Sequence, residues 1–455
     1  MDRRVFLHTT IAAAAAAAGP IVAAKPQRVG PIGANDRIRL GVIGCGGRSG
    51  QDLTSFAQVP NNVFVAACDV FKERLDALAA RLAADGQKVD TYGDYRRVLD
   101  RKDIDALLVG TPDHWHPQMV IDACAAGKDV YLEKPAGNSI EPAVKMVQAV
   151  RKSNRVVQVG TQQRSWGHFQ DAAKLIDQLG GVTHVVVQYG GGGSPTLDPV
   201  APVPEGLDWD MFQGPAPRKP YKASRQRNWR YYYDYGGGLV TDWGVHLVDV
   251  VHWYLGLDGK APNLTTAVAQ YVNVQNPDPE RPPNAFVVTC QYDKFVMSWG
   301  NMVVGNPEFP FHGNVFIGPR GSLVVNRTGY MLRPPEGPIG GGRGRAAASG
   351  RDQAAAGRAG GPPGGRAGAP PPGYTPPPPP VEARTVPVGV ELEAIVVATT
   401  AHAANFLDCV RSRKRPVCDV EVGFYSTLPC LLGLLAIRER RAFTWDAANM
   451  KAKPV

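Results

Sequence analysis

The stretch IRLGVIGCGGRSG, residues 38–50, decides the fold. Ile38–Ile43 is apolar and rich in β-formers, which predicts a short buried strand. Gly44 and Gly46 follow at once, then Gly47, Arg48 and a segment able to start a helix. A strand, a G-x-G turn and a helix N-terminus together form a phosphate cradle. The first glycine permits the tight turn, and the second lets the backbone approach a pyrophosphate. The helix end supplies unpaired N–H groups and the positive end of its dipole. The third small position of this fingerprint falls on Ser49 instead of glycine. That position serves helix–strand packing, so a small side chain suffices. About twenty residues on, Val63–Ala67 predicts a second strand, and Asp69 closes it where an acid would bind ribose hydroxyls and repel a 2′-phosphate. That favours NAD over NADP, although Lys72 and Arg74 stand close by. The other reading of Asp69 is as a cap for the helix that follows.

Outward from this unit, strand-like runs alternate with helical stretches. Ala106–Val109, Asp129–Leu132 and Val156–Val159 predict strands; Arg74–Ala84 and Pro117–Ala126 predict helices. Such alternation implies βαβ units and a doubly wound parallel sheet, a Rossmann domain over 37–160. After Gly160 the texture changes to β-rich segments joined by turns, including Val182–Tyr189, Leu264–Val272, Ala285–Tyr292, Phe295–Trp299, Asn314–Ile317 and Ser322–Asn326. They predict a second, α+β domain with a large, mostly antiparallel sheet, over 161–332 and 381–455. One helix, about Asp242–Leu255, interrupts it; two more follow near Leu392–Arg411 and Ser426–Arg438. Residues 333–380 are mostly Gly, Pro, Ala and Arg, ending in five consecutive prolines. They cannot bury enough apolar surface to fold, which predicts a disordered basic insertion. Without a series of interleaved aromatics it is not expected to bind nucleic acid.

The 455-residue chain is 44% hydrophobic with net charge +9. Its start, residues 1–24, carries Arg3-Arg4, a short apolar alanine-rich run and a small-residue end. This is the pattern of a cleaved twin-arginine export signal, implying a periplasmic protein that folds before export. An exported enzyme could not collect a soluble nucleotide outside the cytoplasm, so the cofactor is expected to be tightly held. No other unbroken apolar run is long enough to span a bilayer. Cys45, Cys68, Cys124, Cys290, Cys409, Cys418 and Cys430 are odd in number and scattered. They form neither a disulfide framework nor a zinc-spaced cluster, so no metal is expected.

In an open parallel sheet, ligands lie beyond the carboxyl ends of the strands. Thr111-Pro112 and Glu133-Lys134-Pro135 occupy such ends, and His116 follows nearby. Here the chain resembles the glucose–fructose oxidoreductase/inositol dehydrogenase (Gfo/Idh/MocA) family over about Ile38–Asp446, the insertion excepted. The resemblance rests on GVIGCGGR (41–48), AACD (66–69), TPDHWH (111–116), GKDVYLEKP (127–135) and GGGLVTDWGVHLVD (236–249). It implies that Lys134 lies beside the nicotinamide and the substrate hydroxyl, with Pro135 shaping the turn. It also implies that Asp242 and His246 supply the catalytic base. Their i, i+4 spacing would put both on one helical face, continued by Asp249 and Trp253. A neutral imidazole can accept a hydroxyl proton, a carboxylate can orient it, and an ammonium can favour the alkoxide. Alone, the same pair reads better as polar residues capping or packing a core helix. Further candidates are Thr161, Gln162, Gln163 and Arg164 beyond a strand end, as lining of the substrate pocket, and Arg230, Tyr235 and the Gly236–Gly238 turn before the catalytic helix, as contacts to a sugar. Trp115 and Trp166 would stack on a sugar ring or simply pack.

These observations lead to an NAD(H)-dependent oxidoreductase acting on a hydroxyl of a sugar, glycoside or polyol, with glycoside 3-dehydrogenation as one specific form. Two alternatives accompany it. One is an NAD-dependent glycosidase working through transient C3 oxidation and elimination; relatives of that kind differ around the position of Lys134. The other is a non-catalytic sugar-binding module. The family's open second-domain sheet implies a homo-oligomer.

Overall fold

The computed structural model describes residues 37–191, 198–301, 312–335, 381–387 and 391–455. The expected export signal and nearly all of the 333–380 insertion lie outside the described residues. From Ile38 to Val455 the chain forms one compact unit.

Six strands, β1 (Ile38–Ile43), β2 (Asn62–Cys68), β3 (Asp90–Tyr92), β4 (Ala106–Val109), β5 (Asp129–Leu132) and β6 (Val157–Val159), make a parallel sheet of order β3-β2-β1-β4-β5-β6. β4, β5 and β6 are buried throughout, as strands covered on both faces should be. The order reverses between β1 and β4. The loops leaving these two strands therefore part and open a crevice, where ligands bind in such sheets. Residues 44–46 and 110–112 are those loops.

The second sheet has ten strands among the described residues. They are β7 (His184–Tyr189), β8 (Leu264–Gln270), β9 (Ala285–Gln291), β10 (Val296–Gly300), β11 (His312–Gly318), β12 (Gly321–Asn326), β13 (Gly329–Arg333), β14 (Arg384–Pro387), β15 (Phe443–Asp446) and β16 (Lys451–Pro454). Their order is β14-β13-β12-β11-β7-β10-β9-β8-β15-β16. Neighbours run antiparallel except β7 and β10, which pair in parallel. The expected fold class, a parallel Rossmann sheet with a second, mostly antiparallel one, is thus met.

Two C-terminal helices tie the sheets together. Glu391–Ser412 turns Ala403, Phe406 and Leu407 onto the parallel sheet, where Phe406 meets Phe56 and Tyr131 edge-on. A helix distant in sequence thus covers a face of the Rossmann sheet. Val420–Glu439 is apolar all round and mostly buried. By length and composition it could cross a bilayer, yet here it lies between the two cores. Phe424, Leu428 and Leu432 enter one core, Cys430, Leu431 and Leu434 the other. A helix with no polar face needs such two-sided burial.

Because Leu428 is fully buried at this junction, Leu428→Ala is expected to cost about 2–5 kcal/mol. Denaturant unfolding followed by far-UV and near-UV signals should shift while remaining coincident. Separate transitions for the two signals would show that the helix does not join the cores.

Candidate active site

Two neighbouring cavities that share Arg48, Gly110, Thr111, Trp229 and Arg230 lie along the crevice, of about 430 Å³ and about 340 Å³. The first is lined by Gly44, Gly46, Gly47, Arg48, Asp69, Thr111 and Pro112, all anticipated as cofactor contacts. Gly44 has φ +86°, and a β-carbon there would strike the Gly110 carbonyl, so the turn requires glycine. A β-carbon on Gly46 would meet nothing within 4 Å; it would project into open space that the turn leaves for a ligand. Ser49 is fully buried, and its hydroxyl fits because position 110 is also glycine. The helix Gly47–Ala57 has no side-chain cap, so its first N–H groups remain available to an anion. These features fit a dinucleotide pyrophosphate.

Asp69 braces the chain on both sides of the strand end. Oδ1 accepts the Phe71 N–H at 2.9 Å, just before the helix Lys72–Ala84, while Oδ2 accepts the Cys45 N–H at 2.6 Å and braces the glycine turn. It still lines the cavity. Burial pushes its carboxyl up, against those main-chain bonds.

The second cavity gathers Lys134, Asp242 and His246, with Glu133, Thr111 and Arg230. Lys134 Nζ donates to Asp242 Oδ1 and to the Asp242 main-chain carbonyl, both at 2.7 Å. Arg230 Nε adds a bond to the same carboxylate oxygen at 3.2 Å. Burial raises the Asp242 carboxyl, but Lys134 and Arg230 outweigh it and hold it below the usual range. Next to Lys134, Glu133 is engaged elsewhere: its Oε1 accepts from Arg48 Nε at 2.9 Å. Arg48 also lies 2.8 Å from the fully buried Asp52.

The geometry corrects the expected pairing of Asp242 with His246. The expected helix is broken at Trp243, into Leu239–Asp242 and Gly244–Tyr254. Gly244 packs so closely on Trp299 and Cys430 that a β-carbon would collide with both. The break frees the Asp242 carbonyl, which in a continuous helix would accept from residue 246. Asp242 therefore holds Lys134 and Arg230, and does not orient His246. The imidazole is buried and its Nδ1 has no protein partner. Burial first, then the cations Lys134, Arg327 and Arg48, push its pKa well below 6.5.

Other expected contacts sit away from the cavities. Arg164 Nε lies 2.9 Å from both Asp249 oxygens, and its two terminal nitrogens bond Asp258 at 2.9 and 2.7 Å. It is a buried clamp, not a sugar contact, and it takes Asp249 out of the catalytic stripe. Tyr235 is buried among Trp209, Phe212 and His114. Gln163 is buried beside the cavity without lining it. His116 is buried too, its ring nitrogens facing the carbonyls of Pro135 (2.7 Å) and Thr111 (3.0 Å). It braces the turn after Lys134 in place of touching a ligand. Trp166 packs in the core against His168 and Phe169, while Trp115 lines the first cavity.

Gln162, expected beyond its strand end, also lines the second cavity, and sequence reasoning missed Asp113, Trp229, Trp243 and Arg327, which line it too. Asp113 had a signal, an acid just beyond a strand end. Arg327 had none; the turn between β12 and β13 brings its guanidinium over Trp243 at 4.4 Å, with Tyr189 stacked on the same indole at 4.0 Å between centroids.

Two family models match the chain: the NAD-binding Rossmann fold of the Gfo/Idh/MocA oxidoreductases over residues 38–161, and the C-terminal alpha/beta domain of the same family over 179–279. The chain belongs to the Gfo/Idh/MocA family. Curated relatives include a glycosyl hydrolase family 109 protein of Saccharopolyspora erythraea, 31% identical over 34% of this chain and 38% of that protein. Another is a scyllo-inositol 2-dehydrogenase (NAD(+)) of Bacillus subtilis, 26% identical over 44% of this chain and 48% of that one. The matched segments thus span less than half of these relatives. Among solved structures, a levoglucosan dehydrogenase with NADH and levoglucosan superposes with TM-score 0.60 at 17% identity, covering 92% of this chain and 99% of that one. The WlbA dehydrogenase of Bordetella pertussis, with NADH and UDP-GlcNAcA, gives TM-score 0.60 at 17% identity over 90% and 98%. At that identity the likeness speaks for the fold.

Removing one partner from a buried ion pair leaves an uncompensated charge and costs about 3–5 kcal/mol. Arg164→Ala is therefore expected to lower Tm sharply, with Arg164→Lys rescuing little because one ammonium cannot serve two carboxylates in a fork. A variant of wild-type stability with raised KM would return Arg164 to substrate binding.

Proposed function

We propose that the protein is an NAD(H)-dependent oxidoreductase moving a hydride between the nicotinamide and a CH–OH carbon of a sugar, glycoside or polyol. The carrying observation is that Lys134, fixed by Asp242 at 2.7 Å, shares one cavity with the buried His246, and that Arg48, Gly110, Thr111 and Arg230 line both this cavity and the glycine-lined one. A bound NAD would supply the hydride acceptor, its pyrophosphate on Gly44–Gly47. The substrate hydroxyl is read as lying between Lys134 and His246. His246 takes its proton as the hydride leaves, and Lys134 stabilises the oxygen as charge builds. In the reverse direction the same imidazole returns the proton.

Asp69 supports NAD over NADP, since a second anion beside its carboxylate would be repelled. Arg3-Arg4 and the apolar run behind them support export by the twin-arginine route, with the cofactor loaded beforehand and held tightly. Mass spectrometry of nucleotide released from the purified, denatured protein is expected to find NAD; finding NADP, or none, would overturn that part. The likeness to a glycosyl hydrolase family 109 protein keeps net glycoside cleavage as a second outcome to measure. The intact Lys134 favours the dehydrogenase.

Lys134→Ala and His246→Ala are each expected to lower kcat by roughly 10²–10⁴. Unchanged turnover in either would sink the mechanism. The base works when neutral, and burial with three nearby cations depresses its pKa. The acid limb of kcat/KM is therefore expected clearly below pH 6.5, where free histidine titrates. A limb at or above that value would contradict the site's electrostatics.

A further inference from the structure

We propose that Asp113 and Gln162 bind a second substrate hydroxyl, adjacent to the one oxidised, so that the enzyme selects vicinal diols; this rests on the dehydrogenase reading above. Both side chains line the Lys134 cavity, and hydride transfer as described uses neither. Asp113 opens the single turn Asp113–Trp115 directly after β4 and is 3% exposed. Gln162 opens the turn Gln162–Ser165 after β6 and is 2% exposed. Among the described residues, the Asp113 carboxyl forms no hydrogen bond or ion pair, and Gln162 Oε1 has no partner. Buried polar groups are ordinarily satisfied, and two unsatisfied ones facing one cavity mark where ligand atoms belong.

Asp113, Lys134 and His246 line the same cavity, so a substrate with its reacting hydroxyl between Lys134 and His246 can offer a neighbouring ring oxygen to Asp113. The charged groups around Asp113 are Arg230 and Lys134, with Asp242 and Glu133 behind. His114 and His116 flank Asp113 on its own turn, buried and bonded to main-chain carbonyls. Burial pushes the Asp113 carboxyl above the usual range despite Arg230 and Lys134. Protonated, it both donates to and accepts from a hydroxyl; ionised, it only accepts.

The test uses the full protein with NAD, a panel of cyclitols and methyl glycosides, and, for each compound oxidised, the monodeoxy analogue lacking the neighbouring hydroxyl. The wild type is expected to prefer the parent by at least about tenfold in kcat/KM, since a buried polar site rejects an analogue that leaves it unpaired. Asp113→Ala and Gln162→Ala are expected to shrink that preference to within about threefold, mainly through KM. As pH rises through the elevated Asp113 pKa, the wild-type KM should rise; Asp113→Asn, which cannot ionise, should lose that rise. An Asp113→Ala enzyme keeping the wild-type preference overturns the subsite while leaving the dehydrogenase reading intact. No cofactor reduction by the wild type on any compound overturns that reading and the subsite with it.

Discussion

The Lys134–Asp242 ion pair is the contact on which the site depends. Lys134 ends a strand of the parallel sheet; Asp242 belongs to the other domain, ending a short helix. Neither could be held in a working position by its own domain alone. Desolvating two charges is unfavourable unless their geometry is good and their remaining donors and acceptors are met. Here the ammonium takes both the carboxylate and the main-chain carbonyl of Asp242, and Arg230 takes the same carboxylate. Two cations around one anion leave net positive charge in the cavity, which is what a forming alkoxide requires. Glu133 would compete for Lys134 from the adjacent position. Arg48 draws its side chain toward Asp52 and the glycine loop instead.

That sorting of charges also links cofactor and substrate sites. Arg48 lines both cavities, follows the glycine turn, and bonds the residue beside the catalytic lysine. His116 stands on the other side, with its ring nitrogens against the carbonyls of Thr111 and Pro135, to one of which the neutral ring donates. The nucleotide loops and the end of β5 therefore form one braced surface.

Much of this was legible because it is local. The glycine turn follows a buried strand and opens a helix, and the alternating apolar runs give the parallel sheet directly. Lys134 could be placed at a strand end by the same reading. What was hidden is tertiary. The helix break at Trp243 stands beside Gly244, which packs closely on Trp299 and Cys430, both far along the chain. Arg164 looked like a pocket residue because nothing local shows that Asp249 and Asp258 will surround it. Of Thr161, Gln162, Gln163 and Arg164, all expected at the pocket, Gln162 lines the cavity, and which residue of a tight turn faces inward depends on the turn's geometry. Arg327 depends on a hairpin of the second sheet.

The electrostatics of the pair also bear on the base. A cation beside an imidazole lowers its pKa and so weakens it as a proton acceptor. The same cation lowers the pKa of the hydroxyl from which the proton comes. Proton transfer depends on the difference between the two, and a shared ammonium moves both in one direction. The base therefore stays neutral over a wide range of pH without losing its match to the substrate. Because Asp242 is spent on Lys134, no carboxylate raises the imidazole again. With Nδ1 lacking a protein partner, its orientation rests on packing and on the bound substrate, so the substrate's own shape takes part in aligning the base.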